Sequence, residues 1–240
     1  MGVQSINFAS FKQSNPYALT TSLVGYWNLN EASGNALDSH SNALHLTDNN
    51  TVGASGSSRD FEVDNTEYFN LGGDNANLSG GTGVSLAFSA LVQLESKGAN
   101  RTILSKYVAG AGNREYLLYF DNAADRFRFL VSNDGTATAS LSANNLGSPS
   151  TATPYFVIAW HDATADTINI QINNGTTDSA AHSTNIHDSG TDFCIGAAAG
   201  GVSTFDGLIS KVGVWRNRIL TSDEKTYLYN SGSGRVFSEL

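Results

Sequence analysis

The densest run of chemistry-bearing side chains lies at residues 25–42, GYWNLNEASGNALDSHSN, which passes Glu31 and ends on Asp38, His40 and Asn42. Carboxylate, imidazole and amide groups this close together serve acid–base chemistry, a cation-binding loop, or a polar turn between strands. A second acidic group, Glu62, Asp64 and Glu67 in RDFEVDNTEYF, comes nearest to a glycosidase pair. Glycoside hydrolysis needs two carboxyl groups facing one groove about 5–10 Å apart. Alternation along one strand, as E-x-D-x-E, would supply them, and the chain has no such run; the spacing at 62–67 fits a turn before a strand at 68–71. No G-x-S-x-G elbow marks a serine nucleophile. His161 follows Trp160 at a strand end, and His182 and His187 sit in a polar loop, so each reads as a hydrogen-bonded loop or strand-end residue, without a nucleophile placed by spacing. The glycine pairs beginning at 72, 80 and 200 precede no helix and read as turns, not phosphate cradles. Catalysis is not expected.

The elements that must position these residues are strands. The chain has 240 residues, 40% of them hydrophobic and only 15% charged, with 24 glycines. A surface of Asn, Ser, Thr and Gly over a real core is a β-protein's composition, and one domain is the default at this length. In DTINIQINNGTT, Ile168, Ile170 and Ile172 alternate with polar residues, giving one buried face. Asn174-Gly175 is expected to supply the positive-φ pair of a hairpin turn. In EYLLYFDNAADRFRFLV, Phe127, Phe129 and Val131 share one side of a second hairpin and Arg126 and Arg128 the other. SLAFSALVQLES and PYFVIAWHD have little polar face, which predicts central strands covered on both sides, Pro154 only starting the second. Near the end, Thr221 stands three residues before Glu224, a capping box that starts one short helix, with Gly232 as its stop.

The net charge of −9 repels phosphate backbones and anionic lipid, so neither nucleic acid nor a membrane surface is an expected partner. No stretch approaches the roughly 20 apolar residues of a membrane span. The N-terminus lacks a charged start followed by an apolar run, so it does not read as a secretory signal. The single cysteine, Cys194 in DFCIGA, cannot pair internally and reads as a buried apolar group. Residues 1–20 differ from the rest: polar, with isolated Val3, Ile6, Phe8 and Phe11, and Pro16. Such an arm either packs on its own domain or straps it to a larger assembly. The organisation expected is an arm at 1–20, one domain at 21–234 and a tail at 235–240.

LVGYWNLNEASGNALDSHSNALHL, SLAFSALVQLESKGANRTILSKY, YFVIAWHDATADTINIQINNG and FDGLISKVGVWRNRILTSDEKTYLYNSGSG occur in that order. Together they resemble laminin-G-like, concanavalin A-like jelly-roll domains across residues 22–234. The resemblance implies an all-β, antiparallel two-sheet jelly-roll sandwich with one short C-terminal helix. It is specific to fold, because such sandwiches serve as sugar-binding modules, adhesion domains, accessory domains of enzymes and parts of phage surface proteins. The texture is most similar to environmental and bacteriophage versions.

The resemblance also implies one structural calcium between an Asp-Ser-x-x-Asn loop and an Ile-Asp-Glu stretch of a late strand. Asp38, Ser39 and Asn42 match the loop and His45 a histidine frequent after it, but Ile209 is followed by Ser210 and Lys211 where the acids would stand. Either the Lys211 ammonium replaces the metal and pairs with Asp38 or Glu31, or it points to solvent; a displaced metal would draw on Asp206. For function, the leading expectation is a non-enzymatic virion surface protein, a bacteriophage capsid decoration or fibre-like protein bound to capsid through residues 1–20, displaying a module for host or environmental glycans. The alternative is a free, secreted carbohydrate-binding or adhesion module, with Tyr107, Trp160, His161 and Trp215 as the glycan-contact candidates. Exposed edge strands make a homo-oligomer an open expectation.

Overall fold

In the computed structural model, residues 16–110 and 112–240 are described. Fifteen strands among them form two antiparallel sheets. They are β1 (Leu23–Trp27), β2 (Thr47–Asn49), β3 (Gly53–Ser55), β4 (Ser58–Phe61), β5 (Tyr68–Asn70), β6 (Leu86–Leu94), β7 (Arg101–Tyr107) and β8 (Arg114–Asp121), then β9 (Arg126–Ser132), β10 (Thr138–Ser142), β11 (Pro154–Asp162), β12 (Thr167–Ile172), β13 (Asp178–Ala181), β14 (Cys194–Ile195) and β15 (Gly207–Arg216). The eight-stranded sheet runs β13-β12-β11-β6-β15-β4-β3 with β1 also on β15, and the seven-stranded sheet runs β10-β9-β8-β7-β14-β5-β2. The expected jelly-roll sandwich is what the chain forms.

Strand alternation decides what enters the core between the sheets. Phe88, Ala90 and Val92 of β6, Tyr155, Val157 and Ala159 of β11, Tyr116, Leu118 and Phe120 of β8, and Phe127, Phe129 and Val131 of β9 all point inward. Cys194 is also buried, though outside that cluster, and burial pushes its thiol pKa well up, so it stays protonated.

β6 and β11 also carry apolar residues on the opposite face, as their sequences predict. There Ala87, Phe156, Ile158 and Trp160 pack in a second cluster with Trp215, Leu19 and Leu228. The cover comes from the chain ends. Helix α1 (Ser222–Tyr229) starts in the expected capping box, Thr221 accepting from the Glu224 N–H and Glu224 from the Thr221 N–H, but ends earlier than Gly232, on left-handed Asn230. The tail at 235–240 is tied in rather than free: Tyr26 donates to the Arg235 carbonyl at 2.5 Å and the Phe237 N–H donates to Asn28 at 2.9 Å. Residues 16–20 dock on the same face, where Trp215 Nε1 donates to the Leu19 carbonyl at 2.7 Å. Residues 1–15 of the expected strap lie outside the described residues.

One turn differs from its expectation. Asn173 and Asn174 take φ 52° and 54°, and the Gly175 N–H closes onto the Ile172 carbonyl at 2.9 Å. The positive-φ pair is therefore one residue earlier than Asn174-Gly175, because asparagine tolerates the left-handed region and the hydrogen bond fixes which two residues are central.

Candidate functional site

The loop at 38–45 is a brace. Asp38 accepts from the Tyr26 and His40 N–H groups through Oδ1 and from the Leu44 N–H through Oδ2, each at 2.9 Å. Its own N–H donates to His45 Nδ1 at 3.0 Å, and Asn42 Nδ2 donates to the Val24 carbonyl at 2.7 Å. Three backbone donors thus occupy the carboxylate that the calcium expectation needed. Asp206 is far away: Trp27, beside Asp38, pairs with Val212, and the chain from there back to Asp206 runs roughly 20 Å at about 3.3 Å per residue. Asp206 instead accepts from Ser96 and lies 3.6 Å from Arg101. Asp38, Asn42 and Asp206 do not fit one calcium.

The ion-pair expectation for Lys211 is likewise corrected. Lys211 sits in a bulge of β15 with φ 54°, and its ammonium turns neither to Asp38 or Glu31 nor to solvent but donates to the Ser233 carbonyl at 2.5 Å. Burial lowers its pKa against the opposing pull of Glu239. The internal cation of this end is Arg59, which the sequence did not single out. Its fully buried guanidinium donates to the carbonyls of Gly53 and Gly34 at 2.8 Å and of Val52 at 2.5 Å, with Asp48 at 3.3 Å and Glu31 at 4.0 Å. A planar fork of donors suits this convergence of carbonyls better than an ammonium.

The acids at 62–67 do not form a catalytic pair. Glu67 is buried, accepting from the Glu62 N–H at 3.0 Å and from Asn65 at 3.1 Å, so it closes a turn. A different group gathers nearby: Asp60, Glu62 and Glu95 bring carboxylate oxygens within 4.8 Å of one another. Partial burial raises all three pKa values, with Asp206 adding to each.

Three of the four glycan-contact candidates are structural. Trp215 is wholly buried under the chain ends, and Trp160 is buried beneath Lys225, whose ammonium lies 4.1 Å from its ring. His161 is buried with Nδ1 3.1 Å from the Val84 carbonyl and its ring 5.3 Å from that of His182; burial lowers the pKa of both.

Tyr107 is different, because it lines a groove of about 370 Å³ on the outward face of the seven-stranded sheet. The floor is Thr102 of β7, Leu117 and Tyr119 of β8 and Leu130 of β9; the walls are Tyr107, Val108 and Ala109 on one side and Ala198, Ala199, Val202 and Ser203 on another. The Thr102 N–H donates to the Ser203 carbonyl at 2.9 Å and the Ala199 N–H to the Tyr107 carbonyl at 3.1 Å, which fixes the 198–203 loop beside β7. Volume, apolar walls and a few convergent polar groups are the marks of a small-ligand site.

Two buried hydroxyls belong to its floor. Thr102 is 1% exposed, yet its Oγ1 has no hydrogen-bond partner among the described residues. A desolvated hydroxyl left this way costs about 1–3 kcal/mol. The Tyr119 hydroxyl lies 3.3 Å from Asp121, itself paired with Arg128, and burial pushes the phenol pKa up to about 12, so it remains a neutral donor. Sequence reasoning found Tyr107 but missed Thr102, Leu117, Tyr119 and Leu130. The available signal was in EYLLYF, where Leu117 and Tyr119 put apolar side chains on the face opposite Tyr116, Leu118 and Phe120.

Comparison with known proteins agrees with this architecture. Residues 63–224 match the family model described as the concanavalin A-like lectin/glucanases superfamily, a laminin-G type. No curated protein is significantly similar in sequence. Among solved structures, the botulinum neurotoxin serotype D binding domain superposes with a TM-score of 0.63 at 12% identity, covering 87% of this chain and 51% of that one. Domain 4 of an extracellular arabinanase from Geobacillus stearothermophilus, solved with arabinotriose, gives 0.58 at 14% identity over 86% of this chain and 97% of that one. A Trypanosoma rangeli sialidase, solved with sialic acid, gives 0.61 at 15% identity over 87% and 33%. The chain thus spans about half the length of the toxin binding domain, and at these identities the likeness is one of fold.

Proposed function

Because the chain belongs to the concanavalin A-like lectin/glucanase superfamily, we propose that it is a non-enzymatic glycan-binding module whose ligand lies in the groove beside Tyr107. The observation that carries this is an open groove in which the Tyr107 ring and the Leu117–Leu130 floor meet the exposed side-chain amide of Asn100. A sugar offers both complements, hydroxyls for the polar edge and C–H faces for rings and alkyl walls. Among the described residues no carboxyl group lines the groove, whereas glycoside hydrolysis requires two. The arabinanase domain solved with arabinotriose lends the fold a sugar-bound precedent. A glycan array run with the wild type and with Tyr107→Ala tests the proposal: wild-type binding above background that the variant loses supports it, and an array without a hit rejects it.

The finer proposal places the module on a bacteriophage particle, attached to capsid through residues 1–20 and exposed at the virion surface. What supports it is the phage-like texture of the sequence and a polar N-terminal stretch set off from the domain. Deleting residues 1–15 is expected to abolish particle attachment while thermal unfolding of the domain is unchanged. Retained attachment would remove the strap.

A further inference from the structure

We infer that the groove selects an uncharged, N-acetylated sugar, which rests on the glycan-binding reading of the same groove. The acetamido group combines a methyl with a carbonyl acceptor, and the groove supplies a complement to each. Leu117 and Leu130 form an alkyl floor, and Val202, 58% exposed, is a wall residue standing out into solvent with nothing of the described chain over it. An exposed valine on the lip of an apolar floor is a place for a methyl group to lose water. At the polar edge Asn100 is exposed and its Oδ1 accepts from the Asn122 N–H at 3.0 Å, which fixes the amide and leaves its Nδ2 to donate to a guest's carbonyl. An oriented amide donor suits a ligand that brings an acceptor.

Charge excludes the acidic sugars. Among the described residues, no ionised side chain lines the groove. The ions at its rim are already engaged: Arg128 with Asp121, and Arg114 over the Tyr107 ring at 5.9 Å while donating to the Thr136 carbonyl. A uronate or sialate carboxylate would shed its water without gaining a cation, in the field of a chain of net charge −9.

The test is calorimetric titration of the full chain with chitotriose, cellotriose and trigalacturonate. The first two share linkage and differ at C2, where one bears an acetamido and the other a hydroxyl group. Chitotriose is expected to bind at least about tenfold tighter than cellotriose, the scale of a methyl seated in an apolar pocket, and trigalacturonate to bind least. Val202→Ser changes an exposed side chain and leaves folding aside; it is expected to narrow the chitotriose preference to about threefold or less. Equal affinity for chitotriose and cellotriose, a preference indifferent to Val202→Ser, or tighter binding of trigalacturonate overturns the inference. If the neutral sugars bind equally and Tyr107→Ala weakens both, the groove remains a glycan site with a different preference. If none of the three nor any array glycan binds, both readings fall.

Discussion

The two sheets share one core but treat their outward faces in opposite ways. On the eight-stranded sheet, Phe156, Ile158, Trp160 and Trp215 are sealed under Leu19, α1 and Phe237 of the tail. On the seven-stranded sheet, Leu117, Tyr119 and Leu130 are flanked, among the described residues, by Asn100 and the 107–109 and 198–203 stretches, which leave the groove between them. Aromatic residues occur on both faces, so residue type alone does not distinguish platform from core. What distinguishes them is whether another part of the chain already covers them.

Substitutions on the sealed and open faces should therefore have opposite signatures. The largest effect is expected from Trp215→Ala, which removes a wholly buried ring and its hydrogen bond to the Leu19 carbonyl. It should cost about 3–5 kcal/mol in chemical denaturation, while the fraction that remains folded binds sugar as before. Tyr107→Ala should do the reverse, weakening sugar binding about tenfold, or about 1.4 kcal/mol, with little change in unfolding midpoint. A binding loss in the first or a stability loss in the second would erase the contrast between the faces.

The faces also differ in how pH acts on them. On the seven-stranded sheet, burial raises Glu115 to about 7 against the opposing pull of Lys106. The folded state therefore holds this proton more tightly than the unfolded chain does, and its contribution is full below about 4.5 and lost as pH rises toward 7. On the eight-stranded sheet, burial lowers His161 and His182, whose contribution is full above 6.5 and lost as pH falls through their folded values. Urea midpoints measured across pH should lose the acid-side decline in His161→Phe and the decline toward neutral pH in Glu115→Gln. Unchanged pH profiles in both variants would contradict the assignment. The smallest effect is expected at the carboxylate cluster, where Glu62→Gln should raise the melting temperature slightly, less so in high salt, because it relieves repulsion with Asp60 and Glu95.

The fold was legible because the alternation of Ile168, Ile170 and Ile172 and the two-faced apolar runs around Phe88 and Phe156 admit few arrangements other than a covered sandwich. The capping box at Thr221 was legible for the same local reason. The site was legible only at Tyr107. Trp160 and Trp215 look like platforms in sequence, and whether they are covered depends on residues 16–20 and 235–240 folding back across the domain, a long-range event without local trace. Lys211 was misplaced because its direction is set by the β15 bulge, and Arg59 was missed because its partners are backbone carbonyls, which sequence does not display.

The account's central claim is that the open face of the seven-stranded sheet is the binding face. Amide chemical-shift mapping with the tightest array glycan tests it most directly. Saturable shifts centred on Thr102, Tyr107, Leu117, Tyr119 and Ser203, with none at Trp160 or His161, are the predicted result. Shifts centred on the 38–45 loop or on the sealed face, with the Tyr107 groove silent, would contradict it.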